Sequence, residues 1–358
     1  MTPSTRVRRR RVGLALLSMA CVAAGVAACG QSAQIHRPIA LLPNTAAKSQ
    51  SYDWNATCQF TPIAAAGCAP AGPIIGAAQL AGNEWNLGGT HGSGQSVSMA
   101  IGSSGGLQVN GNLASAPPCT ASTCLTRQGN TWVRGFPSLL YGTDQCHADT
   151  SPTPSPQFQL PARVDAIPGD LVGRATYSAV GTKVSYDVAY DMWLSPSSTK
   201  TPCQSDGTVE VMIWTGYDAQ ALLPNNLKLG TTTIPFSVNG TVDPGTDAWS
   251  VYATNIYGSG HTVAWGGTIW LVLNAPHATS QGSVSVDISA ALADVAALLQ
   301  RNFGWAPFES TYWLDTIAFG MEYGPQDAQP YSSGPAEFSL NLSRFCLQAG
   351  TTVAATGC

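Results

Sequence analysis

Charged side chains are scarce in this sequence. Asp, Glu, Lys and Arg together make up 10% of the 358 residues. Ordinary soluble domains carry about 25%, so the composition argues against a helical cytosolic enzyme. The charge that is present is acidic overall, with 16 basic against 20 acidic side chains. An acidic chain is poorly suited to nucleic acid or to anionic lipid surfaces, and we expect neither as a partner.

Several familiar catalytic motifs are also missing. The sequence has no G-x-S-x-G elbow, no Walker loop, no H-E-x-x-H and no G-x-G-x-x-G before a helix-like segment. The glycine-rich run 88–94 leads into another strand-like segment, which indicates a hairpin loop. The cysteines form no paired C-x-x-C units and the five histidines are scattered, so we expect no metal site and no cofactor.

The N-terminal segment has the pattern of an export signal. Five arginines within 6–11 precede an apolar run over 12–28. Val26-Ala27-Ala28-Cys29 resembles a bacterial lipobox, which predicts removal of 1–28 and lipidation of Cys29. Ordinary cleavage is the alternative. Residues 29–53 are polar and small, and predict a flexible tether. We therefore expect a monomer on the outer face of a bacterial membrane, or in the medium, with its only membrane contact through the lipid.

Eight cysteines follow the signal, which in an exported chain predicts disulfide bonds. Pairing between neighbours in sequence favours three local loops and leaves two cysteines for each other, but other connectivities stay open. These pairs are Cys58 with Cys68, Cys119 with Cys124, Cys346 with Cys358, and Cys146 with Cys203.

The pattern of residues 54–358 predicts one all-β domain with two antiparallel sheets, either a jelly roll or a β-sandwich of another type. Short apolar runs alternate with Gly, Pro, Asn and Asp throughout this part. The predicted strands are 84–87, 95–101, 106–110, 131–134, 171–179, 183–194, 208–215, 232–238, 248–254, 262–273, 283–287, 311–323 and 336–342. One helix is predicted over 289–300, capped by Asp287 or Ser289 and ended by Gly304. It should be structural and pack on the convex side of a sheet.

Two of the five glutamates lie inside apolar strands. In Thr208-Val209-Glu210-Val211-Met212-Ile213-Trp214, alternation places Glu210 on one face with Met212 and Trp214. In 312–323, it places Glu322 on a face whose other members are small, which suggests room for a ligand. A buried carboxylate is costly without a partner. No Lys or Arg lies within six residues of either glutamate, so a local salt bridge does not explain them.

Two facing carboxyl groups fit glycoside hydrolysis, in which one attacks the anomeric carbon and the other protonates the leaving oxygen. A third carboxylate, Asp191, shares a strand face with Ala189 and Trp193. If that strand pairs with the strand of Glu210, Asp191 could hydrogen-bond and orient that glutamate. A solvent-facing aspartate is the alternative.

Aromatic residues in strand-like segments form a second set of candidates, since sugar rings stack on indole and phenol rings. Asn83 and Trp85 share a face two positions apart, so one could bind hydroxyls while the other stacks. Each of these aromatics could equally belong to the core. The set comprises Trp85, Trp132, Trp193, Trp214, Trp249 and Tyr252.

Together these motifs resemble glycoside hydrolase family 12, the jelly-roll endoglucanases and xyloglucanases, from Asn83 to Leu342. The matching segments are Asn83-x-Trp85, Gly135-Phe136-Pro137-Ser138, Tyr190-Asp191-Met192-Trp193-Leu194, Glu210-Val211-Met212-Ile213-Trp214 and Phe319-Gly320-Met321-Glu322. The family's single helix also precedes its acid/base strand, as the predicted helix does here.

The resemblance implies a retaining endo-β-1,4-glucanase acting on cellulose-like β-glucan. Glu210 would be the nucleophile, Glu322 the acid/base and Asp191 the partner of the nucleophile. Asn83, Trp85, Trp193, Met212 and Trp214 would line the concave substrate cleft. Xyloglucan or mixed-linkage glucan as substrate, a glycan-binding β-sandwich without catalysis, and a purely structural surface lipoprotein are the alternatives.

Overall fold

The computed structural model of the chain describes fourteen ranges: 39–40, 50–54, 74–75, 78–81, 96–101, 106–114, 127–128, 131–142, 159–197, 207–218, 227–253, 267–304, 311–325 and 336–355. The chain divides into units 1–35 and 36–358, and every described residue belongs to the second. The predicted signal 1–28, Cys29, Asn83, Trp85 and all the paired cysteines except Cys346 lie outside these ranges.

The described part consists of 21 strands, one α-helix and one short 3-10 turn over Val164–Ala166. The strands are β1 Ile39–Ala40, β2 Gln50–Trp54, β3 Ile74–Ile75, β4 Ala78–Ala81, β5 Ser96–Ile101, β6 Leu107–Asn112, β7 Arg127–Gln128, β8 Thr131–Trp132, β9 Ser138–Gly142, β10 Ala162–Arg163, β11 Val172–Thr182, β12 Val184–Ser195, β13 Val209–Tyr217, β14 Leu227–Thr232, β15 Phe236–Val238, β16 Thr241–Asp243, β17 Trp249–Ala253, β18 Thr268–Leu273, β19 Gln281–Asp287, β20 Trp313–Pro325 and β21 Glu337–Gln348; the helix α1 is Ile288–Phe303.

Two large sheets form the sandwich that the sequence predicts. Sheet A has the strand order β16-β15-β19-β11-β21-β6-β5-β2, and β1 also pairs with β21. Sheet B has the order β14-β17-β18-β13-β12-β20-β9-β4-β3, and β10 also pairs with β20. Neighbouring strands are antiparallel except β13 and β18, which run parallel. The all-β prediction, with two sheets in a jelly-roll sandwich, is confirmed.

The main core lies between the two sheets. Alternate residues of β12, namely Val188, Tyr190 and Met192, are fully buried and pack in one cluster with residues of sheet A. Their neighbours on the opposite face of sheet B, such as Ala189, belong to a second buried cluster. The side chains of β12 alternate between the two faces of the sheet. Since a buried cluster covers each face, β12 is buried along its whole length.

The helix α1 begins and ends where its caps predict. The Asp287 carboxylate accepts a hydrogen bond from the Ala290 N–H at 2.9 Å, and Gly304 adopts a left-handed conformation with φ of 74°. Its apolar stripe packs into the main core, on the side of sheet B away from Ala189. None of the described helices is both long and apolar enough to cross a membrane.

One predicted strand, 232–238, is divided in the structure. Its first part extends β14 of sheet B, and its second part is β15 of sheet A. Pro235 lies between them, and proline has no N–H for a sheet ladder. The chain therefore uses this proline to pass from one sheet to the other.

The segment predicted as a tether, 29–53, contains strand β1 and most of β2. Ile39 pairs with Leu347 of β21, and Tyr52 pairs with Met99 of β5. Sheet A therefore includes part of the segment 29–53, in which the sequence predicts no strand because its residues are polar and small.

The segment after β21 is fastened to sheet A by a buried arginine. The guanidinium of Arg174 donates to the carbonyl oxygens of Thr352 and Ala355 at 2.8 and 3.2 Å, and to the Gln348 side chain at 3.1 Å. Cys346, on β21, is disulfide-bonded. These contacts hold the residues up to 355 against the outer part of sheet A.

Candidate active site

The strand β12 lies in the middle of sheet B, and its two neighbours carry the two candidate glutamates. Glu210 of β13 stands opposite Trp193, and Glu322 of β20 stands opposite Asp187. Residues directly opposite one another in an antiparallel pair project to the same face. Because Asp187 and Trp193 are an even number of positions apart on β12, both glutamates project from one face of sheet B.

Asp191 lies on the same face, between the levels of the two glutamates. It stands opposite Met212 on β13 and opposite Ala318 on β20. We call this surface, which carries Asp187, Asp191, Glu210 and Glu322, the acidic face. The expected pairing of the Asp191 and Glu210 strands is present, while the hydrogen bond between the two carboxyl groups stays a prediction.

The carboxyl group of Glu210 has a hydroxyl partner from the parallel strand β18. Glu210 and Thr268 are in register, and the Thr268 hydroxyl donates to Glu210 Oε2 at 2.5 Å. Burial raises the pKa of Glu210 to about 8; the Thr268 hydrogen bond acts in the opposite direction, and the charge of Glu322 adds to the rise. Glu210 is partly buried, which disfavours its ionised form, but it has one hydrogen-bond donor that favours this form.

Asp187 is the most deeply buried member of the acidic face. Its exposed fraction is 0%, and that of Glu322 is 4%. Burial raises the pKa of Asp187 well above its ordinary value, and the charge of Glu322 and contact with its carboxyl group raise it further. Asp191 and Glu210 add smaller repulsions, so the four carboxyl groups interact with one another.

A fully buried arginine lies at the edge of this region. Arg134 is fully buried, and its main-chain N–H donates to the carbonyl oxygen of Tyr323, the residue after Glu322, at 2.8 Å. Among the described residues, no group of three or more His, Cys, Asp or Glu side chains has the arrangement of a metal site.

The rest of the acidic face is apolar and largely enclosed. Met212, Trp214 and Trp270 belong to the second buried cluster, and Trp214 and Trp270 expose 0% and 4% of their surface. Trp193, opposite Glu210, exposes 8%. The buried indole N–H groups of Trp214 and Trp270 meet no acceptor in the described ranges. The predicted binding residues Trp193, Met212 and Trp214 therefore share one face with the carboxyl groups.

The small residues before Glu322 do not leave open space, contrary to the sequence interpretation. Ala318 is 3% exposed. A Cβ atom added to Gly320 would lie 2.5 Å from the carbonyl oxygen of Pro137 and 2.6 Å from Cβ of Ser138. The chain entering β9 fills this position, so glycine is required by the neighbouring strand and not by a ligand.

Three site residues were missed by sequence reasoning. Asp187 precedes Ala189 by two positions, so the alternation that selected Asp191 could also have selected it. Thr268 and Trp270 meet the site only through the parallel pairing of β13 with β18, which no local pattern records. Trp249, one of the aromatic candidates, belongs to the main core, where its indole N–H donates to the Ile234 carbonyl oxygen at 2.9 Å.

Comparison with known proteins points to one family. The sequence model of glycosyl hydrolase family 12 matches residues 105–333. No curated protein matches the sequence. A native family 12 xyloglucanase from Bacillus licheniformis is 19% identical, with 76% of this chain and 93% of that chain covered and a TM-score of 0.50. A family 12 xyloglucanase from Bacillus licheniformis in complex with ligand is 18% identical. That match covers 84% of this chain and 99% of that chain, with a TM-score of 0.50.

An endoglucanase, cel12A, from Rhodothermus marinus is 18% identical over 75% of this chain and 93% of that chain, with a TM-score of 0.46. At such identities the solved structures bear on the fold alone, and the xyloglucanase fold agrees with the sandwich described above. The family match spans most of the chain, including β12, β13 and β20 with all four carboxyl groups of the acidic face. The chain belongs to glycosyl hydrolase family 12 and is a glycoside hydrolase.

Proposed function

We propose that the protein is a retaining endo-β-1,4-glucanase that cleaves cellulose-like β-glucan on the acidic face of sheet B. The observation that carries the proposal is the placement of Glu210 and Glu322. They project from one face, on the two strands that flank β12, and each lies within the electrostatic influence of the other. Two carboxyl groups of unequal surroundings are what this chemistry requires.

Glu210 acts as the nucleophile. Its carboxylate oxygen attacks the anomeric carbon as the glycosidic C–O bond breaks, and Glu322 gives its proton to the leaving oxygen. In the second step Glu322, now ionised, takes a proton from water. The water oxygen attacks the anomeric carbon, the ester to Glu210 breaks, and the sugar leaves with its original configuration. The Thr268 hydroxyl favours the ionised form of Glu210 that begins this cycle.

The remaining predicted residues have supporting roles. Asp191 orients the Glu210 carboxyl group, and Met212 lies beside it on the cleft floor. Trp193 and Trp214 border the sugar-binding positions, and Asn83 with Trp85 forms a further platform. The protein is exported, carries a lipid on Cys29 and disulfide bonds between its cysteines, and works as a monomer.

The test is release of reducing sugar from soluble cellulose, xyloglucan and mixed-linkage glucan. Glu210→Gln should be inactive on all three, because the amide cannot form the glycosyl ester. Glu322→Gln should lose about 10²–10⁴-fold on natural polymers, the usual contribution of general acid catalysis. With an aryl glucoside whose leaving group needs no proton, Glu322→Gln should still form the intermediate and Glu210→Gln should not.

Glu337→Gln is the matched control, since Glu337 is exposed on β21 of the other sheet. It should keep the activity of the unsubstituted protein. Equal activity in all three variants would refute the catalytic roles proposed for Glu210 and Glu322. Binding of polymer without hydrolysis by the unsubstituted protein would favour the glycan-binding alternative, and the substrate cleaved fastest would decide between cellulose-type glucan and xyloglucan.

A further inference from the structure

Asp187 and Glu322 form a pair of neighbouring carboxyl groups on the acidic face. They are directly opposite in the register of β12 and β20, so their side chains project next to each other from the same face. Both are more than nine-tenths buried. The pairing is fixed by two central strands of sheet B, so the groups cannot easily separate.

The hydrogen-bond partners of the Asp187 oxygens indicate that at least one of the two carboxyl groups, Asp187 or Glu322, is protonated. Neither of its oxygens accepts from an N–H or O–H donor in the described ranges, apart from what Glu322 can offer. An ionised carboxylate is an acceptor only, and two buried carboxylates in contact repel each other strongly. Contact between them is stable when at least one is protonated and donates to the other.

We propose that Asp187 is a positioning residue for Glu322, that the two carboxyl groups share a proton, and that this pair sets the alkaline limit of activity. The inference rests on the proposed role of Glu322 as acid/base. The catalytic step is unchanged: the O–H bond of Glu322 breaks as the leaving oxygen gains the proton, and water later returns one. Asp187 touches no substrate; it holds the Glu322 carboxyl group in place and opposes its ionisation.

The other two carboxyl groups near Asp187 act in the same direction. On its own strand lies Asp191, and on β13 lie Glu210 and Tyr217, which stands directly opposite Asp187. Both carboxyl groups raise the pKa of Asp187. The main chain of Arg134 pairs with β20 at Tyr323, and a cation close to Asp187 would act in the opposite direction. Since Glu322 is the largest electrostatic influence on Asp187, removing one member should change the titration of the other.

Asp187→Asn separates these effects, because asparagine has the same shape and can donate but cannot ionise. A single remaining carboxyl group no longer faces a second negative charge, so it loses its proton at lower pH. The alkaline limb of the kcat/KM profile should move to lower pH by about one unit or more, while the acidic limb stays in place. Asp187→Ala should show the same shift with a lower kcat, because the Glu322 carboxyl group also loses its hydrogen-bond partner.

Asp315→Asn is the control: it removes another buried carboxyl group of β20, and it should leave the alkaline limb unchanged. If the alkaline limb of the kcat/KM profile is the same in Asp187→Asn as in the unsubstituted protein, the proposed sharing of a proton between Asp187 and Glu322 is overturned. If the variants do not fold, the carboxyl carbon of Asp187 in the unsubstituted protein can be followed by NMR. Ionisation in the ordinary range of aspartic acid then overturns it. Full activity of Glu322→Gln would instead remove the proposed function itself, so the two failures are distinguishable.

Discussion

At the scale of single residues, the proposed reaction requires one carboxyl group of the acidic face to be ionised and another to be protonated. Glu210 has a hydroxyl donor in Thr268, whereas Asp187 has contact with another carboxyl group. Hydrogen bonds to an ionised form favour that form, and burial disfavours it. Glu210 is therefore the member best placed to lose its proton first, as a nucleophile must.

Thr268→Val should raise the pKa of Glu210 further, because it removes the donor and keeps nearly the same shape. The ionised fraction then falls at neutral and acidic pH, so the acidic limb of kcat/KM should move to higher pH. Below that limb, kcat/KM should drop about tenfold for each unit of pKa increase. Thr268→Ser keeps the hydroxyl and should keep the profile. The measurement is kcat/KM against pH, and identical profiles for both variants would contradict the role given to Thr268.

The same residues mark how far sequence reasoning reaches. Alternation alone identified Glu210 and Glu322, since a strand's side chains have a period of two. The same rule applies to Asp187, which lies on the same strand face two positions before Ala189. Thr268 is different in kind, because its contact depends on which strand lies beside β13, and that is decided by the whole chain.

At the scale of elements, β20 and the segment leading into β9 together hold Glu322 in place. The Tyr323 N–H donates to the Gly135 carbonyl oxygen at 3.3 Å, and the Met321 N–H to that of Pro137 at 3.3 Å. The Pro137 oxygen occupies the space where Gly320 would have a side chain. The strand pattern predicted β20 well, but the tight approach of its neighbour is not visible in the pattern of either segment.

Gly320→Ala should therefore destabilise the protein and disturb Glu322. The added Cβ would meet main-chain oxygen at 2.5 Å, and relief requires a backbone shift that costs about 1–3 kcal/mol. We expect a lower Tm and a lower kcat in the same variant. Gly169→Ala provides the comparison, because a Cβ there meets nothing within 4 Å. A Tm for Gly320→Ala equal to that of Gly169→Ala would refute the packing argument.

At the scale of the whole molecule, sheet B buries more acid than base in the described ranges. Four acidic residues expose 5% or less, whereas, among the described residues, the one buried base beside this sheet is Arg134, between β8 and β9. The acidic residues are Asp187, Asp191, Asp315 and Glu322. Burial raises the pKa of Asp315 to about 7 from 3.8. A carboxyl group whose pKa is higher in the folded state binds more protons there, so stability falls as pH rises from the unfolded pKa through the folded one.

Asp315→Asn should remove part of this pH dependence. Between about pH 4 and pH 7 the unsubstituted protein should lose about 1.4 kcal/mol of unfolding free energy per pH unit through this one group. The variant should match it near pH 4 and be more stable at pH 8, as measured by urea unfolding at each pH. Asp165→Asn, which breaks an exposed ion pair with Arg163, should change stability little at either pH.

The position of β21 in sheet A has a consequence for how the chain reaches its final form. This strand is the last in sequence among those described, yet it lies between β11 and β6 and also pairs with β1. While the chain becomes available for folding from its N-terminus onwards, β6 and β11 each have an unpaired edge until β21 is present. Such edges recruit other chains. Folding of this chain should therefore depend on a chaperone or on a low local concentration until the final strand closes the sheet.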